Sequence, residues 1–96
     1  MTPIIWTKAA TTDIERHYSF LEPIDPGIAK KAVQAILKAG ESLTENPRRG
    51  AVVLQAKGLR KLRVPFGKFG FVIHYIFIET EVLILRIYHG RENRQT

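Results

Sequence analysis

Ninety-six residues suffice for one domain and leave no room for a second, and the absence of cysteine removes both disulfides and thiol chemistry. The formal charge of +6 is unevenly spread: residues 48–96 hold ten Lys/Arg against three acids, whereas residues 1–47 hold five bases against six acids. Like charges on one surface repel, so this excess suits an anionic or acidic partner rather than the stability of the fold.

The N-terminus has only the short apolar run Pro3–Trp6, followed by Lys8, Asp13 and Glu15, which is not a signal peptide. The longest near-apolar run, Phe71–Ile78, is too short to cross a bilayer as a helix. A soluble, cytoplasmic protein with no membrane association is expected.

Pro3–Trp6 is a strand candidate. Thr7 stands where a helix N-cap belongs, and Ala10, Ile14, Tyr18 and Leu21 then recur on one helical face until Pro23 closes the run. Asp25-Pro26 restarts the chain as a helix, with a capping carboxylate and a proline suited to the first turn. Ala29, Ala32, Val33, Ile36, Gly40 and Leu43 form its apolar stripe, and Asn46-Pro47 is read as its end. Arg48 to Gly58 has no sustained period and reads as a loop.

Three strands follow, over residues 59–65, 71–78 and 82–88, joined by the glycine-punctuated turn Phe66–Gly70 and the tight connection Glu79–Glu81. Short connections imply antiparallel neighbours. The expectation is a single α+β domain over residues 1–96. Its order is β-α-α-β-β-β, with a mainly antiparallel sheet and a two-helix hairpin on one face. Alternation assigns Leu62, Val64, Phe71, Ile73, Tyr75, Phe77, Leu83, Leu85 and Ile87 to the helix side. The opposite face is expected to carry Lys61, Arg63, Val72, His74, Arg86 and Tyr88.

Lys61 and Arg63, with Arg86 on the same expected face, are candidates to hold an acidic surface or a phosphate. His74 lies inside an apolar strand and reads as a packed residue. His89 follows the last strand, close to Arg91 and Arg94. It is a side chain suited either to target contact or to acid–base work. Gly90 is read as permitting a positive φ where the chain leaves the sheet. Phe66 and Phe69 are read as packing across their turn. His17, His74 and His89 have no metal-ligand spacing, and no glycine-rich phosphate loop is present, so neither metal nor cofactor is expected.

Three stretches in order, "IIWTKAATTDIERHYSFL", "LRKLRVPFGKFGFVIHY" and "EVLILRIYHGRE", make the chain resemble the RelE/ParE superfamily of type II toxin–antitoxin toxins. The resemblance covers nearly the whole length. It implies a cognate antitoxin and one of two targets, DNA gyrase or ribosome-bound mRNA.

In the ribonuclease branch, cations on the open sheet face stabilise a phosphorane-like transition state. Lys61 and Arg63 match two of its basic positions and Arg91 a third. Val72 stands where that branch places an arginine. The resemblance therefore points to the gyrase-poisoning ParE branch, with no catalytic residue expected. Lys61, Arg63, Arg86, His89, Arg91 and Arg94 are the target-contact candidates. An acidic antitoxin is expected to cover apolar surface beside the hairpin and part of the basic face, with Trp6, Val72, His74 and Tyr88 as its contacts. The alternative is a ribosome-dependent mRNA endonuclease using Lys61, Arg63, His89 and Arg91. A plain nucleic-acid-binding module comes third.

Overall fold

The structure, a computed structural model, describes residues 1–54 and 56–92. In chain order it contains β1 (Ile4–Trp6), α1 (Lys8–Leu21), α2 (Pro26–Glu41), a 3-10 turn (Ser42–Thr44), β2 (Ala51–Val52), β3 (Leu59–Val64), β4 (Phe71–Ile78) and β5 (Glu81–His89). The β-α-α-β-β-β order is as expected. The stretch read as a loop contributes one addition, the two-residue strand β2 on the sheet edge. The sheet runs β1-β5-β4-β3-β2; β1 lies parallel to β5, and every other pair is antiparallel.

Both helix starts follow from their caps. The Thr7 hydroxyl accepts the Ala10 N–H at 3.3 Å, and the Asp25 carboxylate accepts those of Gly27 and Ile28 at 3.0 and 3.2 Å. The α2 stripe is buried at Ala29, Ala32, Ile36 and Gly40, with Leu43 just beyond it. The helix stops at Glu41, ahead of Asn46-Pro47, because its last turn tightens into the 3-10 segment. There the Ser42 hydroxyl donates to the Ala39 carbonyl at 2.6 Å.

The core lies between the helices and the inner sheet face. Ile36, Leu43, Ile73, Tyr75, Val82, Ile84 and Ile87 are its largest fully buried members. The buried Tyr75 hydroxyl accepts the Gly50 N–H and donates to the Pro47 carbonyl, both at 2.8 Å. It thereby ties down a stretch that has no periodicity of its own.

Two alternation-based expectations fail, for one reason each. In β5, His74 pairs with Arg86 but Tyr75 pairs with Ile84, so Leu85 is an extra residue, a β-bulge. A single insertion shifts the side-chain phase. Val82, Ile84 and Ile87 are therefore the buried set. Leu83, paired with Ile76, lies on the open face, and Leu85 is only partly buried. In α1, the buried residues are Ala10, Asp13 and His17, while Tyr18 sits at an exposed margin. Two polar side chains occupy core-facing helical positions because they have backbone partners there.

Candidate functional site

Those partners belong to β5. β1 covers only Val82–Ile84, which leaves the edge of β5 beyond it open. Helix α1 closes that edge with side chains. Thr7 donates its hydroxyl to the Ile84 carbonyl at 2.7 Å. Asp13 accepts the Ile87 N–H at 2.8 Å, and the Nε2–H of His17, four residues on, donates to the Ile87 carbonyl at 2.9 Å. An i, i+4 pair on one helix face thus satisfies both backbone groups of one strand residue. The Asp13 carboxylate also takes Arg86 Nε at 2.7 Å and Nη2 at 3.1 Å. Burial alone would raise the pKa of Asp13. The hydrogen bonds from Arg86 and from the Ile87 N–H, with the Arg86 charge, outweigh it and hold the carboxyl below its ordinary value. Burial pushes His17 the way burial pushes a base, downward.

The open face, on the other side of the sheet, is built in rows. Lys61, His74 and Arg86 form one row across β3, β4 and β5, and Arg63, Val72 and Tyr88 form the next. His74 is 7% exposed, its ring 5.0 Å from that of Tyr88. Burial, then the charges of Lys61 and Arg86, lower its pKa. Arg86 lies over the Tyr88 ring at 5.2 Å. A third row, Ile5, Leu83, Ile76 and Leu59, is entirely apolar. The bulge is what adds Leu83 to it.

The helix side carries a different feature. Val64, Phe71 and His89 form a row on that side, so the sheet separates His89 from Lys61 and Arg63. A cavity of about 400 Å³ opens there, between the C-terminal half of α1 and the end of β5. Phe20, Leu21 and Phe71 supply apolar surface; His17, His89 and Arg91 also line it. Arg16 and Glu92 clasp across its edge at 2.7 Å, and Glu92 also accepts the His89 N–H at 2.7 Å. Burial would raise the pKa of Glu92, but these bonds from His89 and Arg16 lower it below its ordinary value. Arg91 stacks over Phe69 at 4.9 Å, and its N–H donates to His89 Nδ1 at 3.2 Å. Phe69 is thus exposed and cation-covered, whereas Phe66 packs 5.8 Å from Phe71 as expected.

The residues singled out in the sequence therefore divide. Lys61, Arg63, Val72, His74, Arg86 and Tyr88 share the open face. His89 and Arg91 line the cavity on the helix side, and Arg94 lies outside the described residues. Trp6 is separated from Val72, His74 and Tyr88, because it packs on the helix side over Gly40 and donates its indole N–H to Glu41 at 3.4 Å. Gly90 does not have a positive φ. It is needed because a Cβ there would collide with the Phe69 backbone, and its N–H donates to the Gly70 carbonyl at 2.8 Å. Asp13, Arg16 and Phe20 were not singled out, and His17 was considered only as a metal ligand. The readable signal for Asp13 and His17 was polar residues spaced i, i+4 in register with Ala10 and Leu21. Among the described residues, no group of three or more His, Asp or Glu side chains is placed to hold a metal ion, and no helix is long and apolar enough to cross a membrane.

Residues 4–94 match the sequence model of a family described as the ParE toxin of type II toxin–antitoxin system, parDE. Toxin RelE1 of Caulobacter vibrioides is 35% identical over 91 residues, covering 95% of this chain and 96% of the relative. Toxin RelE3 of the same organism is 33% identical over 69 residues, covering 72% and 73%. A solved structure, the chromosomal ParDE TA system from P. aeruginosa, matches with a TM-score of 0.76 at 26% identity, over 93% of this chain and 96% of that one. The fold and these matches define a toxin of the RelE/ParE superfamily. The chain belongs to the ParE toxin family of type II toxin–antitoxin systems.

Proposed function

We propose that this toxin is held inactive by a small acidic antitoxin and, when released, binds DNA gyrase through its open sheet face without cutting RNA. The observation that carries the target is the make-up of that face. An RNA-cutting centre needs cations gathered on one phosphate with an acid or base beside them. Here the central strand β4 presents Val72, His74 and Ile76 to the open face, with Lys61 and Arg86 on either side of His74. Arg86 is committed to Asp13, and His89 lies across the sheet from Lys61 and Arg63. Apolar side chains interleaved with cations, one of them already neutralised by Asp13, suit a protein surface better than a developing dianion.

The antitoxin half of the reading is supported by the +6 charge and by the likeness to a ParDE system. An acidic partner that binds only the folded toxin would also raise its stability by mass action.

The RelE names of the two curated relatives favour a second reading, cleavage of ribosome-bound mRNA. One pair of assays separates the two. Purified toxin should inhibit gyrase supercoiling, and His89→Gln should keep most of that inhibition, because no proton transfer is involved. Cleavage of translated mRNA that is lost in His89→Gln, with gyrase unaffected, would replace this proposal with the ribonuclease.

A further inference from the structure

The cavity at the end of α1 combines an apolar lining with unequal charge. Phe20, on its wall, is 71% exposed, a ring whose apolar surface remains in water. Phe71 forms part of the floor, flanked by the His17 ring at 5.0 Å and the His89 ring at 5.9 Å. Of the two arginines, Arg16 already grips Glu92 through both terminal guanidinium nitrogens, Nη1 and Nη2, and contacts Asp13. Arg91 is exposed, its guanidinium stacked on Phe69.

We propose that this cavity anchors one large apolar side chain flanked by a single carboxylate, carried on an acidic segment of the antitoxin. The proposal rests on the reading of the chain as antitoxin-bound and adds where the antitoxin takes hold. The apolar side chain would cover Phe20 and Phe71, and the carboxylate would meet Arg91. A monoanion fits because, among the described residues lining the cavity, Arg91 is the arginine outside an ion pair; Arg16 is already held by Glu92, so a dianion would find no second free guanidinium. A +6 chain also draws an acidic segment toward it. Occupancy would bury His89 and Arg91 on the helix side, across the sheet from the face proposed for the target, so the cavity would serve as an anchor for the antitoxin and not as the target surface itself.

The test is an NMR titration of the free toxin with three probes: phenylacetate, its neutral amide and phenyl phosphate. Phenylacetate should give saturable shifts confined to Phe20, Leu21, Phe71 and His89. It should bind about threefold more tightly than either other probe, the scale of one exposed charge pair. Phe20→Ala should weaken it about tenfold through lost apolar contact, and Arg91→Gln should abolish the preference over the amide. Both side chains are exposed, so neither change threatens the fold. Adding the antitoxin co-purified with the toxin should displace phenylacetate. Absent or scattered shifts, equal or tighter binding of phenyl phosphate, or indifference to Phe20→Ala would each overturn the site. Phenylacetate that stays bound in the toxin–antitoxin complex would overturn the occupant. None of these outcomes bears on gyrase, which the supercoiling assay reads separately.

Discussion

Asp13 is the residue on which most of the local geometry depends. It accepts from Arg86, Arg16 and the Ile87 backbone, at a position only 3% exposed. Asp13→Ala would leave the Ile87 N–H without its acceptor, and urea unfolding should register a loss of about 2–3 kcal/mol. The pH dependence follows from the same groups. His17 and His74 titrate below their ordinary value of 6.5 in the folded chain. The unfolded chain therefore binds protons first, and their stabilisation is whole above that value and declines as pH falls beneath it. Asp13 and Glu92 titrate below 3.8 and 4.5, so their contribution is intact above those values and is lost on further acidification. Melting temperature against pH should fall in two stages, and His17→Gln should shrink the first. A curve flat from pH 7 to 5 would contradict the placement of both histidines.

At the scale of elements, α2 passes close to β1 at Gly40. A Cβ on Gly40 would stand 2.5 Å from Trp6 Cζ2 and 3.0 Å from Ile84 Cδ1. Alanine would improve helix propensity by about 1 kcal/mol. Displacing a rigid indole from a filled core costs about 1–3 kcal/mol, so Gly40→Ala should lower the melting temperature. Both helix starts were legible because caps are local chemistry, in which Thr7 and Asp25 act on residues two and three positions away. The strand β2 was not, because two residues carry no period, and their pairing with Arg60 and Lys61 is formed across a loop. The phase of β5 was not legible either. Nothing in Val82–Tyr88 marks Leu85 as the extra residue; the bulge is expressed in the pairing with His74 and Tyr75.

For the whole molecule, the basic excess of the second half is divided by the fold. Arg86 pairs with Asp13, Arg60 donates to the carbonyls of Arg48 and Gly50, and Arg48 lies over Phe77. Lys61 and Arg63 lie on the open face, and Arg91 lies on the cavity side. Charge reversal at Lys61 and Arg63 together should weaken target binding. The deficit should narrow as salt rises, since exposed charges are screened beyond about 8 Å at physiological ionic strength and about 3 Å at 1 M. Binding measured at two salt concentrations checks this. Arg91→Gln is a cleaner probe of the tail than deleting residues 91–96, because deletion also removes Glu92 and its clasp on Arg16.

The sequence by itself determined the α+β class, the element order, both helix caps, most of the inward set and the family. Each of these is written in short-range periodicity or in motifs that stand in line along the chain. Only the tertiary structure decided which functional candidates share a surface. Lys61 and His89 are both basic-type residues in the strand half, yet the sheet lies between them. Residues as distant in sequence as Arg16 and Glu92, or Asp13 and Arg86, meet because α1 closes an edge that β1 is too short to cover. Strand alternation, bulge position and edge closure are settled by pairing, and pairing partners are distant along the chain.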